Sequence, residues 1–128
     1  MSTTRIAVVT AAAAALATLA AAPAGLAKDG DVRVSGTCTA ASTSKLKLSD
    51  EDGRIEAEFE VDQNRNGVRW QVTLRRNGAV AARTSAVTRG PSGSFTVRRV
   101  LPNGAGTDRV VAVATSPAGE RCTARAGF

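Results

Sequence analysis

The chain contains no histidine and no tyrosine, one tryptophan, three phenylalanines and two cysteines. Without histidine there is no Ser-His or Cys-His pair to activate a nucleophile. Paired carboxylates are the remaining common catalytic device, and Glu56, Glu58 and Glu60 do alternate along one segment. They lie beside lysines on a wet face, which does not raise a pKa as a general acid requires. The expectation is a protein that is not an enzyme and has no cofactor. The shortage of large side chains also bears on folding. A core must be built from Val, Leu, Ile and Ala, and a core so thin benefits from a crosslink.

Only one long apolar run is present. Met1–Arg5 carries a single positive charge, and Ile6–Ala22 follows, mostly alanine, interrupted by Thr10 and Thr18 and ended by Pro23. This is the layout of a secretory signal peptide over residues 1–27. Cleavage after Ala27 and cleavage after Ala24 both satisfy the small-residue rule. A membrane anchor is the rival reading, but the run is short and alanine is weakly apolar. No cysteine stands near either cleavage site, so a lipid anchor is not expected. The mature chain, residues 28–128, is one domain with no membrane span. Its localisation is extracellular or cell-wall associated, and a monomer is expected. In a secreted chain two cysteines pair most simply with each other, here Cys38 with Cys122; the alternative is two free thiols.

From Asp31 onward apolar residues recur with period two and breaks fall about every ten residues, the pattern of an all-β sandwich or barrel. Val32, Val34 and Cys38 share one parity. Leu46 and Leu48 follow, then the turn DEDG, then Ile55, Ala57, Phe59 and Val61. A loop over Asp50–Gly53 would set Leu48 against Ile55 and Lys47 against Glu56, pairing like with like and charge with countercharge. Trp70, Val72 and Leu74 point inward on the next strand. Asn77-Gly78 is a strong hairpin signal, and Ala79–Thr88 reads as an edge strand. Phe95, Val97 and Leu101 mark another strand. Arg99 shares their parity, so it snorkels or a bulge resets the count. Val110, Ala112 and Ala114 are small enough to leave room for Trp70. The last strand turns Cys122, Ala124, Ala126 and Phe128 inward. The fold expected is an antiparallel sandwich of about seven to eight strands.

Two features bear on binding. Asp62-Gln63-Asn64-Arg65-Asn66-Gly67 has the spacing of the front half of a calcium loop, with Asp62, Asn64 and Asn66 as candidate ligands. The twelfth position, where a bidentate glutamate belongs, is Thr73. With one carboxylate and Arg65 inside it, the segment reads as a turn, with no metal expected and a weak calcium site as the alternative. The second feature is basic. Arg69, Arg75, Arg109, Arg121 and Arg125 point outward from three strands that would be neighbours in a sandwich, forming a candidate anion-binding face. Guanidinium groups hold phosphates and carboxylates bidentately. Nucleic acid is disfavoured as a partner because no aromatics are interleaved for stacking. The alternative is an ordinary solvated face.

The strand pattern, the tryptophan on a middle strand and the closing hairpin resemble an immunoglobulin-like or fibronectin type III-like sandwich. The alanine-rich leader, the arginine-rich body, the VDQNRNGVRW stretch and the C-terminal cysteine resemble small secreted actinobacterial proteins of that architecture. The resemblance implies fold and secretion, not an activity. The role expected is a secreted, non-enzymatic binding or structural module whose partner is an anionic cell-wall polymer or an acidic extracellular protein. The alternative is a small secreted inhibitor or a small-ligand carrier.

Overall fold

A computed structural model describes residues 30–128. The leader over 1–27 lies outside the described residues. Nine strands run in the order β1 Val32–Ser35, β2 Thr37–Cys38, β3 Thr43–Glu51, β4 Arg54–Asp62, β5 Arg69–Arg76, β6 Ala79–Val87, β7 Ser94–Leu101, β8 Arg109–Thr115 and β9 Arg121–Gly127. They form two antiparallel sheets, β1-β3-β4-β7 and β2-β9-β8-β5-β6, packed as a sandwich. The five-stranded sheet sets β9, β8 and β5 side by side. In the four-stranded sheet β3 and β4 are joined directly as a hairpin.

The first expected strand is two strands. At Gly36 the chain leaves the four-stranded sheet, where β1 pairs with β3, and enters the five-stranded one, where β2 pairs with β9. A Cβ at Gly36 would sit 2.2 Å from Ser44 Oγ and 2.6 Å from the Thr123 carbonyl oxygen. Only glycine lets the chain cross between layers so close to both.

The β3–β4 hairpin has a shorter turn than the sequence suggests. Its loop is Asp52-Gly53, both at positive φ (50° and 79°), as a two-residue type I′ turn requires. Leu48 therefore faces Ala57 and Lys47 faces Glu58, two residues from the expected register. A shift of two keeps every side chain on its face, so the alternation survives the correction. Asn77-Gly78 closes β5–β6 in the same way, with φ of 49° and 83°. Along β7 the register with β4 is unbroken, and Arg99 stands opposite Ala57. Arg99 is exposed on a sheet edge and donates to the Arg98 carbonyl, so it snorkels and no bulge is needed.

The core interleaves large residues of both sheets with small ones concentrated on β8 and β9. Leu46, Leu48, Ile55, Phe59 and Val61 come from β3 and β4; Ala112, Ala114, Cys122 and Ala124 come from β8 and β9. Trp70 is fully buried and packs on Phe95 at 6.0 Å between ring centroids. Its indole N–H donates to Gln63 Oε1 at 3.1 Å. Cys38 and Cys122 face each other across β2 and β9 and are joined as a disulfide.

Candidate anion-binding face

Period two fixes the face of each arginine in the five-stranded sheet. On β5 the inward residues are Trp70, Val72 and Leu74, so Arg69 and Arg75 point to solvent. On β8 burial of Val110, Ala112 and Ala114 turns Arg109 outward, and on β9 burial of Cys122 and Ala124 turns Arg121 and Arg125 outward. Cross-strand register joins them to one surface: Arg75, Val111 and Arg125 form a row across three strands, and Gln71, Thr115 and Arg121 form another.

The edge strand adds a sixth arginine that sequence reasoning missed. Arg83 pairs with Thr73 and is exposed on the same side. The register between β5 and β6 slips at Leu74/Arg75, leaving Ala81 as the extra residue. That slip hides the parity of Arg83 from a reading of β6 alone.

No carboxylate lies on the outward positions of these five strands, and among the described residues none of the six arginines is in an ion pair. Arg69 donates to Ser85 Oγ at 3.1 Å and Arg75 to the Gly78 carbonyl at 3.4 Å, both neutral acceptors. Between the arginines lie the half-buried β-branched residues Thr73, Val111, Val113, Thr115 and Thr123.

The opposite sheet is neutralised internally. Lys45 reaches Glu60 and Lys47 reaches Glu58, each at 3.4 Å, and Arg98 bridges Glu56 and Glu58. Burial pushes the Glu58 carboxyl up, but the hydrogen bond from Arg98 and the charges of Lys47 and Arg98 outweigh it and hold it below its ordinary value. A depression of about 290 Å³ on this sheet is lined by Arg33, Lys45, Lys47, Glu58 and Glu60. Val34 and Leu46 complete its wall, so charged and apolar groups share it.

A buried acid anchors one corner of the arginine face. Arg76 has the inward parity of Leu74 and reaches Asp108 at 2.8 Å, where the carboxylate is almost fully buried. Asp108 also accepts from the Gly104 N–H at 2.9 Å and from Asn77 Nδ2 at 3.0 Å. Asn77 Oδ1 in turn accepts from the Arg109 N–H at 2.8 Å. The hairpin that carries Arg75 is thus tied to the start of β8, which carries Arg109. Burial pushes the Asp108 carboxyl up, but the Gly104 N–H, the Asn77 amide and the Arg76 guanidinium together hold it below its ordinary value. A folded-state pKa below the unfolded one gives stability that is present above the unfolded pKa and lost as pH falls through the folded pKa. Asp108→Asn is expected to be less stable than the wild type at neutral pH, with the two denaturation curves converging as pH falls below about 4. Urea unfolding across that range checks it; parallel curves would remove Asp108 from the acid response.

Asp62 ends β4, and Asn64 and Asn66 lie in the connection to β5. Asp62 Oδ1 accepts from the Asn64 N–H at 3.0 Å, and Asn64 adopts φ 56°. The segment is laced to the β6–β7 connection through Gln63 N–H to the Gly93 carbonyl and Gly67 N–H to the Thr88 carbonyl. Among the described residues the acidic and sulfur groups that converge closely enough for a metal are Cys38, Glu120 and Cys122. Both sulfurs are in the disulfide, and both Glu120 oxygens accept from Ser42.

No helix among the described residues is long and apolar enough to cross a membrane. No protein-family model matches the chain, and comparison with curated proteins and with solved structures returns no significant match.

Proposed function

We propose that this protein is a secreted, non-enzymatic module that contacts anionic cell-wall polymers through the arginine face of its five-stranded sheet. The observation that carries the reading is the segregation of charge. Six exposed arginines share a face without a carboxylate, while the glutamates of the other sheet are matched by their own lysines and arginine. A face of one sign attracts a polyanion over about a Debye length, and guanidinium groups then hold its oxygens at contact. The apolar-to-neutral centre with a charged rim suits docking against a partner surface. The disulfide is compatible with an oxidising, extracellular setting, and the leader over 1–27 supports export.

The test is co-sedimentation of the mature protein with purified cell walls at low and high salt. The expected result is binding at low salt that weakens as salt rises. Arg75→Gln, Arg109→Gln and Arg125→Gln combined should abolish it without changing the melting temperature. Absence of binding at low salt would sink the reading.

A further inference from the structure

The six arginines are not evenly spread, and their placement points to a specific kind of polymer. On β8 Arg109 stands opposite Gly127; the next outward pair of that sheet is Val111 with Arg75, and the next is Val113 with Thr73, which pairs on to Arg83. Arg109, Arg75 and Arg83 therefore advance by one strand and two residues at each step. With strands about 4.8 Å apart and two residues rising about 6.8 Å, each step is about 8 Å, and the three follow one diagonal across the sheet. Arg125 flanks this line beside Val111, whereas Arg69 and Arg121 sit in rows at the far end of the sheet. Val80, Val111 and Thr73 border the line, and none of them carries charge. The Asp108–Asn77–Arg109 bonds fix the backbone at its lower end.

Resting on the polyanion reading above, we infer that the ligand is a linear phosphodiester polymer of a short polyol, laid along the Arg109–Arg75–Arg83 diagonal. In such a chain successive phosphates are separated by six chain bonds, which span about 7 Å when extended, as two extended peptide units do. That pitch falls within the swing of three guanidinium groups set about 8 Å apart. The polyol needs no aromatic platform, and this face offers none. Each phosphate presents two free oxygens to one guanidinium, the bidentate geometry that arginine matches.

The experiment uses glycerol-phosphate oligomers of defined length and oligogalacturonate of equal charge, titrated against the folded mature protein. Three phosphate contacts on a single-stranded polyanion give a slope of log K against log salt of about −2. Arg75→Gln with Arg83→Gln should weaken binding about ten- to a hundredfold at low salt and bring the slope above about −1. At about 0.15 M salt, where the Debye length is about 8 Å, Arg69→Gln with Arg121→Gln removes the same charge and should change affinity by no more than about threefold. Equal losses from the two pairs, or uronate binding as tight as phosphodiester binding, would overturn the inference. Cell-wall co-sedimentation without binding of glycerol-phosphate oligomers would also overturn it while leaving the anionic-surface reading intact. Failure of the walls themselves to bind would remove both.

Discussion

Replacing Cys38 and Cys122 together by alanine is expected to lower the unfolding free energy by about 4–5 kcal/mol. The two cysteines are 84 residues apart, so the bond encloses every strand from β3 to β8. In the chain-entropy account a loop of that length restricts the unfolded ensemble strongly. The folded side agrees with this weighting. β2 is two residues long, lies at a sheet edge and hydrogen-bonds only to β9. Without the bond the crossing at Gly36 is held by the Gly36 N–H to the Ser44 carbonyl and by the Thr39–Arg121 hydrogen bonds. For a domain of this size the loss corresponds to a fall of roughly 20–30 °C in melting temperature. Alanine is the right replacement, because Cys122 is fully buried and a serine hydroxyl there would add an unpaired polar group. Urea unfolding of the variant and of the reduced wild type separates the bond from the packing of its sulfurs. A loss below about 1 kcal/mol in both would mean that the unfolded chain is already compact enough to bring its ends together.

The alternation of apolar and polar residues made the sandwich legible, because inward and outward parity is a local property of each strand. It placed Trp70, Val72, Leu74, Val110, Ala112, Ala114 and Cys122 inside, where they are. It put Arg69, Arg75, Arg109, Arg121 and Arg125 on exposed positions of one sheet. What parity cannot fix is register. A loop of two residues and one of four around Asp52-Gly53 give the same faces, and both set lysines against glutamates. Backbone conformation decides between them, through the positive φ at Asp52. Parity also fails where the chain changes sheet. Val34 and Cys38 read as one strand, yet the close approach of Ser44 and Thr123 that makes Gly36 a crossing point depends on residues far away in sequence.

The residues that sequence reasoning missed share a cause. Arg83 stands on an alanine-rich edge strand whose bulge is visible only against β5. Arg76 could have been found, since it continues the inward series 70, 72, 74 and an inward arginine needs a partner. That partner, Asp108, is brought to it by the β8–β5 pairing and not by proximity along the chain. The arginine face and this buried pair are therefore parts of one arrangement. Of the two acids next to this face, Asp108 is turned inward onto Arg76 and Glu120 onto Ser42.

Trp70→Ala is the second large loss, expected to cost about 3–5 kcal/mol. Trp70 is the largest fully buried side chain, in a domain whose remaining aromatics are three phenylalanines. Its neighbours in the five-stranded sheet are held on rigid strands, so the space left by an alanine cannot collapse fully. The indole does more than fill volume. Its N–H reaches Gln63, and the Gln63 N–H reaches the Gly93 carbonyl, so the core, the β4–β5 turn and the β6–β7 connection meet at this side chain. Trp70→Phe retains most of the ring packing on Phe95 and loses the hydrogen bond, a loss of about 0.5–1.5 kcal/mol beyond the change in volume. Gln63→Ala removes the same bond from the other side. A double-mutant cycle with Trp70→Phe and Gln63→Ala should show a coupling of about 0.5 kcal/mol or more. Zero coupling would mean that water serves each group equally well. As the sole tryptophan, Trp70 also reports unfolding by its own fluorescence in every other variant. The arginine substitutions can thus be checked for folding in the same cuvette that measures binding.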